Sequence, residues 1–455
     1  MSSAQTTFNK GSNIDLGTSG LKLRRLDLRG EKLSRRQYQN KLSRAKMDIN
    51  SALEKIAPIL EKVKNGNEAD LIALAESYDQ VTPPSIKVPK EIIKAAFDNL
   101  DPIVKSALEK ARAAIIKGHE VQLRKELKVE VIAGGQINHK FLPVERVGLY
   151  VPGGRAVYPS SVLMNVIPAQ LAHVPSIAIA TPPTKENNGW PNQTILATAY
   201  LLGVDEVYAI GGAQAIALFA YGMDGICEPV NLVTGPGNIY VAAAKRALRG
   251  LIAIDSEAGP TEVMVIADKS AKANEVAADL ISQAEHDEIA AAILVTDNEE
   301  FANQVEAQVW KKVFETKHSK RISIALQGEQ SGIVLVDDMS QAAEVANAYG
   351  AEHLEIQVEN LDEVANQITN AGAVFLGRFS PVSLGDYLAG SNHVLPTGGC
   401  ACHTPGLSVQ TFLKGVSFIK YDQDAFNQTV SDVITLANSE DLPAHGQAMS
   451  ARLEK

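Results

Sequence analysis

The sequence predicts an α/β fold made of two doubly wound units. From residue 147 onward, short apolar runs alternate with helical stretches. Near 261 a second series with the same alternation begins, and the links within both series are short and often rich in glycine. Strands that alternate with helices over short links pair in parallel, and their sheets are covered on both faces.

Taken in order, the first ~40 residues are polar and contain glycine, so they read as an arm. From about 42 to 126 the pattern is helical. Ile49, Leu53, Ile56, Leu60 and Val63 recur at spacings of four and three, and Pro58 is expected to kink or restart that run. The first alternating series runs VGLYV (strand), SSVLMNVIPAQLA (helix), SIAIA (strand), QTILATAYLLG (helix), EVYAI (strand), AQAIALFAYG (helix), VNLVT (strand), IYVAAAKRALRG (helix) and IAID (strand). The second runs EVMVIAD, the helix containing SQAEH, AAILVT, a helix over 299–314, GIVLVDD, the helix QAAEVANAY, HLEIQV, a helix over 361–369, and AVFLG. Residues 378–408 are rich in Gly, Pro and Ser and read as loop. The last ~45 residues, helical around VSDVITLAN, read as a small C-terminal appendage.

Composition narrows the class. The chain has 455 residues, of which 45% are apolar and 21% charged; that is the balance of a globular chain with about three folded pieces. A net charge of −10 does not attract nucleic acid. No stretch approaches the ~20 apolar residues of a membrane span, and the N-terminus lacks the apolar core of a signal peptide. Three cysteines are too few for a disulfide framework and fit a reducing compartment. The expected location is cytoplasmic. Cys400, Cys402 and His403 in GGCACHTPG imitate metal ligands, but structural zinc takes two spaced pairs and no second pair of cysteines exists, so they read as a loop.

The chemistry-bearing residues fall into three groups. The links VPGGRAVYPSS, IGGAQAIA and TGPGNIY each follow a strand and precede a helix, where backbone can approach a phosphate at the helix N-terminus. Three of them in one unit point to a dinucleotide bound without the usual fingerprint. Gln283 and His286 stand three apart on one face of a helix. Asp386 and His393 lie in SLGDYLAGSNHVLPT, and Glu440 and His445 in ANSEDLPAHGQ. Such nitrogen and oxygen donors without thiolate suit Zn²⁺ or Mn²⁺. Glu352 and His353 in GAEHLEIQ sit at a helix–strand link and offer two proton acceptors of different basicity.

Together GLYVPGG, GGAQAIA, GPGN, GPTEV, SQAEH, EHL, GDY, NHVLPT and LPAHG, in this order, resemble the histidinol dehydrogenase family over nearly the whole chain. The resemblance implies one Zn²⁺ per subunit held by Gln283, His286, Asp386 and His445. It implies that the metal mainly holds L-histidinol through its imidazole and amino nitrogens, and that NAD accepts two hydrides in succession. His353 matches the base for the substrate hydroxyl, and Glu352 the base that activates water against the aldehyde. Thr261, Gln283, His286, His353, Asp386, His393, Glu440 and His445 fall on substrate-contact positions; Tyr150, Gln214 and Asn238 fall on NAD-contact positions. Thr261 stands where serine is common and keeps the hydroxyl. Val382 replaces a glutamate seen in many relatives.

The implied fold is two incomplete Rossmann-like units in an aldehyde-dehydrogenase-like arrangement. Residues 1–44 form the arm. Residues 45–146 and 261–407 form the metal-binding and catalytic domain, and 147–260 the NAD domain. Residues 408–455 form a tail exchanged between the subunits of an intertwined homodimer. Two other readings of the same residues stay open. A zinc hydrolase using Glu352 on a metal-bound water leaves the glycine-rich links unexplained, and a non-catalytic α/β binding protein leaves the Glu–His pair unexplained.

Overall fold

In the computed structural model, which describes residues 21–153, 156–257 and 259–453, the chain divides into two units. The first takes residues 21–46 and 260–381. Its six-stranded sheet has the order Arg25–Asp27, Gly332–Leu335, Ala291–Thr296, Glu262–Ala267, His353–Gln357, Ala373–Leu376, and every pairing is parallel. The central strands Glu262–Ala267 and Ala291–Thr296 are buried along their whole length, as continuous apolar runs in a covered sheet must be.

Strand residues alternate between faces. Met264, Ile266, Leu354 and Ile356 enter one core with the helix Met339–Tyr349 and with Leu28, Tyr38 and Leu42. His353, Glu355 and Gln357 therefore point to the opposite face. There Gln357 donates to Asp279 on the helix Ala273–Ala284 (Nε2···Oδ2 3.3 Å) and to Glu355 (Nε2···Oε1 2.7 Å). Asp279 and Glu355 are themselves hydrogen-bonded, and burial raises both carboxyls, to about 6 and about 8.

The second unit takes residues 47–153, 156–257, 259 and 382–453. Its five-stranded parallel sheet has the order Val207–Ala209, Ser176–Thr181, Arg146–Tyr150, Leu232–Thr234, Ala253–Ile254. Apolar residues on both faces are buried, Val147 and Leu149 in one core, Tyr150 and Val233 in another. A separate antiparallel sheet joins Leu413–Tyr421, Gly135–Pro143 and Leu127–Ile132. The tail helices Gln423–Ser439 and Pro443–Ser450 pack on each other.

Several expectations change. The strands and helices expected from 147 to 376 are present. Within the expected arm, residues 1–20 lie outside the described ones; beyond them, Arg25–Asp27 is an edge strand and Arg35–Lys41 a helix against Met339–Tyr349. From sequence, 45–146 groups with 261–407. In the structure the helix Ile49–Asn65 instead buries Ile56, Leu60 and Val63 with Phe219, Val241 and Leu248 of the 147–254 sheet's helices, and Lys90–Asp98 packs on Gln193–Leu201. Residues 382–407 also belong to this second unit. An apolar stripe announces that a helix is covered but not by which sheet. Finally, Ile49–Asn65 runs through Pro58 as one helix.

Candidate active site

The first unit gathers Thr261, Gln283, His286, Glu352 and His353 at the N-terminal ends of its strands Glu262–Ala267 and His353–Gln357. The helix Met339–Tyr349 is capped at its start by Asp338, whose carboxylate accepts from the Gln341 amide at 2.8 Å. It ends at Gly350, whose φ of +60° is left-handed and favours glycine. That stop turns the chain so that Glu352 and His353 enter the strand paired with Glu262–Ala267, His353 opposite Val263.

Both side chains are buried, 7% and 4% exposed, so their polar atoms need partners within the protein. Glu352 Oε2 accepts from Thr261 Oγ1 at 2.5 Å and from the Glu262 amide at 3.0 Å. His353 Nδ1 lies 3.2 Å from the Glu262 carbonyl; its N–H donates there, which leaves Nε2 as the basic atom. Burial pushes the Glu352 carboxyl up to about 8, against the hydrogen bonds from Thr261 and the Glu262 amide. The Glu262 charge adds to the rise, and His286 opposes it. A carboxyl so poised can hold or release a proton near neutral pH.

Gln283 and His286 fit a cation. Gln283 Nε2 donates to Thr261 Oγ1, which fixes the amide and leaves Oε1 as the atom that could hold a cation. His286 Nδ1 lies 3.3 Å from the Gln283 carbonyl; donating to it leaves Nε2 for a metal, the usual division of labour in a ligating histidine. Asp386, half-buried on Val382–Tyr387, and His445, exposed on Pro443–Ser450, belong to the second unit. Glu440, exposed, caps the end of Gln423–Ser439. Among the described residues no group of three or more His, Cys, Asp or Glu is arranged to hold a metal; glutamine is outside that set. Cys400–Cys402 form a short 3-10 turn that ends at His403. Val382 is buried.

Within the second unit, His393 Nδ1 lies 3.2 Å from the Asp386 carbonyl and its Nε2 lies 3.1 Å from Ser161 Oγ. Asn165 donates to the Ser161 carbonyl and accepts from Thr234. His393 is half-buried; with its Nδ1 proton on the Asp386 carbonyl, its Nε2 can accept from the Ser161 hydroxyl.

The nucleotide candidates are also in the second unit. Tyr150 ends a central strand and is buried; its hydroxyl accepts from the Gly212 amide at 3.1 Å, and burial pushes the phenol up to about 12. Gln214 is 2% exposed, and its Nε2 is buried with no hydrogen-bond partner, a donor available to a ligand. Asn238 caps Ile239–Leu248, accepting from the Tyr240 and Val241 amides.

The glycine-rich links use part of their backbone for hydrogen bonds within the protein. In IGGAQAIA the Gly211 amide bonds the Asp79 carboxyl and the Gly212 amide bonds Tyr150; in TGPGNIY the leading amides go to Asn238. Two of the three links thus direct their amides to protein groups, and Gly154 and Arg155 of the third lie outside the described residues. Lys245 pins the TGPGN link, donating to the Gly235 carbonyl at 2.5 Å and to Asp255 at 2.6 Å, while Asp255 accepts from the Gly235 amide.

Sequence reasoning did not find Glu262, Ser161 or Asp79. Glu262 acts on Glu352 and His353 through its peptide groups, which every residue has. Ser161 and Asp79 carry side chains too common to single out, although a glutamate opening a central parallel strand is an unusual residue to bury.

A sequence model of one family, described as histidinol dehydrogenase, matches residues 42–453. The chain is 54% identical over 433 residues to the histidinol dehydrogenase of Thermobifida fusca, covering 95% of this chain and 98% of that one. It is 54% identical over 432 residues to that of Streptomyces avermitilis, covering 94% and 97%. The crystal structure of histidinol dehydrogenase from Elizabethkingia anophelis superposes with a TM-score of 0.86 at 34% identity, covering 95% of this chain and 98% of that one.

Proposed function

Because the chain belongs to the histidinol dehydrogenase family, an oxidoreductase family, we propose that it oxidises L-histidinol to L-histidine through L-histidinaldehyde in two NAD-dependent steps, the last reaction of histidine biosynthesis. The observation that carries this reading is the buried cluster of Thr261, Gln283, Glu352 and His353 around the peptide groups of Glu262.

Zinc, held by Gln283 Oε1, His286 Nε2, Asp386 and His445, would fix the imidazole and amino nitrogens of the substrate. NAD, bound beside Tyr150, Gln214 and Asn238, would take up one hydride in each step. The protein's own groups handle the protons. His353, with its Nδ1 proton on the Glu262 carbonyl, takes the hydroxyl proton at Nε2 as the alcohol becomes aldehyde. Glu352, as carboxylate, takes a proton from water as that water adds to the aldehyde carbon, while protonated His353 returns its proton to the former carbonyl oxygen; neutral again, His353 then takes a hydroxyl proton of the hydrate in the second oxidation. Thr261 keeps Glu352 oriented, and His393 and Glu440 contact the substrate. No cysteine stands in a motif resembling a thiohemiacetal nucleophile, so direct water attack is the economical route.

The enzyme acts as a homodimer whose tail supplies Glu440 and His445 to the partner's site; both side chains are exposed within the single chain. We place it in the cytoplasm, acting on a small molecule, on the sequence's net charge of −10 and its few cysteines. No described helix is long and apolar enough to cross a membrane. NADH formation from L-histidinol, abolished by a chelator and restored by zinc, is the expected result. No NADH from the zinc-loaded protein would refute the proposal.

A further inference from the structure

We infer that Arg44 and Glu262 are positioning residues for the Glu352–His353 pair, acting through the backbone of residue 262. The inference rests on the proposed roles of those two residues.

Both peptide groups of residue 262 address the pair: its amide donates to Glu352 at 3.0 Å, and its carbonyl accepts from His353 at 3.2 Å. A displacement of this one α-carbon would therefore move both hydrogen bonds at once. Its own side chain is buried, with only 5% of its surface accessible, and it is clamped. Arg44 pairs with Glu262 Oε1 at 2.5 Å, and the Tyr349 hydroxyl donates to the same oxygen at 3.3 Å. The Arg44 guanidinium stacks 3.7 Å above the Tyr349 ring and donates to the Tyr349 carbonyl. Burial holds the Tyr349 phenol far above its ordinary value, so it remains a neutral donor.

The clamp spans three parts of the first unit. Arg44 comes from the N-terminal segment, Glu262 opens the central strand, and Tyr349 closes the helix that Gly350 breaks three residues before His353. One planar cation thus fixes both chain ends that meet at the pair, the start of strand Glu262–Ala267 and the turn that delivers Glu352. Arginine suits the task because its fork donates in two directions while its face stacks. An ion pair serving stability alone has no need of a residue whose amide and carbonyl both serve the proton-transfer groups.

The test uses the zinc-loaded full-length enzyme. Arg44→Met should lower kcat about 10- to 100-fold, with KM for L-histidinol and for NAD within about threefold, because proton-transfer geometry suffers and binding does not. Arg44→Lys should recover only part of kcat, since an ammonium lacks the fork. Arg44→Met leaves a buried carboxylate without its cation and will also unfold more easily. The double variant Arg44→Met/Glu262→Gln removes that charge, so it should regain thermal stability while kcat stays low. If kcat returns with stability, the role is structural only and the inference is overturned. Glu352→Gln and His353→Asn are measured alongside. If those two keep near-normal kcat, the proposed roles of the pair have failed; if they lose it while the Arg44 variants do not, only the positioning inference has failed.

Discussion

Replacing Glu352 by glutamine should stabilise the protein at alkaline pH while removing its ability to activate water. The folded protein holds the Glu352 proton up to about pH 8, whereas the same carboxyl releases it near 4.5 when unfolded. The stability carried by that proton is complete below 4.5, falls as pH rises, and is lost by about pH 8. At about 1.4 kcal/mol per pH unit, that interval amounts to about 5 kcal/mol. Glutamine keeps an oxygen to accept from Thr261 and from the Glu262 amide, but has no proton to lose. With chelator present, so that no cation favours the carboxylate, urea unfolding of both proteins is followed from pH 4.5 to 9. The variant should gain on the wild type as pH rises, by several kcal/mol at pH 8.5, and the difference should shrink toward zero near pH 4.5. Curves that run parallel across the range would show that burial of this carboxyl costs nothing, and the account of Glu352 as a poised base would fall with it.

Other outcomes follow from the same geometry. Oxidation of supplied histidinaldehyde should quicken with rising pH toward about 8, as Glu352 ionises; a flat pH–rate profile would exclude this carboxylate as the base. Gln283→Ala and His286→Ala should each weaken metal binding at least about tenfold with unchanged circular dichroism, and stoichiometric zinc in both would sink the ligand assignment. Lys245→Met should cost about 3–5 kcal/mol in thermal unfolding because Asp255 stays buried without its cation, and most of this should return with Asp255→Asn added. Asp386→Asn and His445→Asn, each inactive alone, should regain roughly a quarter of wild-type activity when unfolded and refolded together with zinc, since about half the dimers are then mixed with one intact site. No recovery, with mixed dimers confirmed by tags, would place the tail in its own subunit's site.

What the sequence disclosed has a physical pattern. Buried parallel strands are continuous apolar runs, so VGLYV and EVMVIA were legible at once; Gln283 with His286 was singled out as a helix-face pair, although the helix ends at Ala284 and His286 lies in the turn after it. The antiparallel sheet was missed. LKVEVI alternates and precedes Gly134–Gly135, a hairpin signal, but the third strand, Leu413–Tyr421, pairs with residues some 270 positions earlier, beyond any local pattern. The packing of the helix Ile49–Asn65 was hidden for the same reason. At the site, side chains with distinctive chemistry were found, while the peptide groups of Glu262 and the hydroxyl of Ser161 carry no signal in a string of letters.

The proton shared between Asp279 and Glu355 has a consequence for how this sequence can drift. Neither carboxyl can change independently. An apolar residue at 355 leaves the half-buried Asp279 with Gln357 alone, and an apolar residue at 279 leaves the fully buried Glu355 so. A lysine at either place would replace a hydrogen-bonded pair that shares one proton with an ion pair, at the cost of desolvating a second charge. The open paths are amide for acid at one position, which keeps a hydrogen bond, or simultaneous exchange of both for a well-packed apolar pair. The two positions, 76 apart in the chain, should therefore behave over evolutionary time as a single site with few permitted states, inherited together behind a helix and a strand that both reach the same edge.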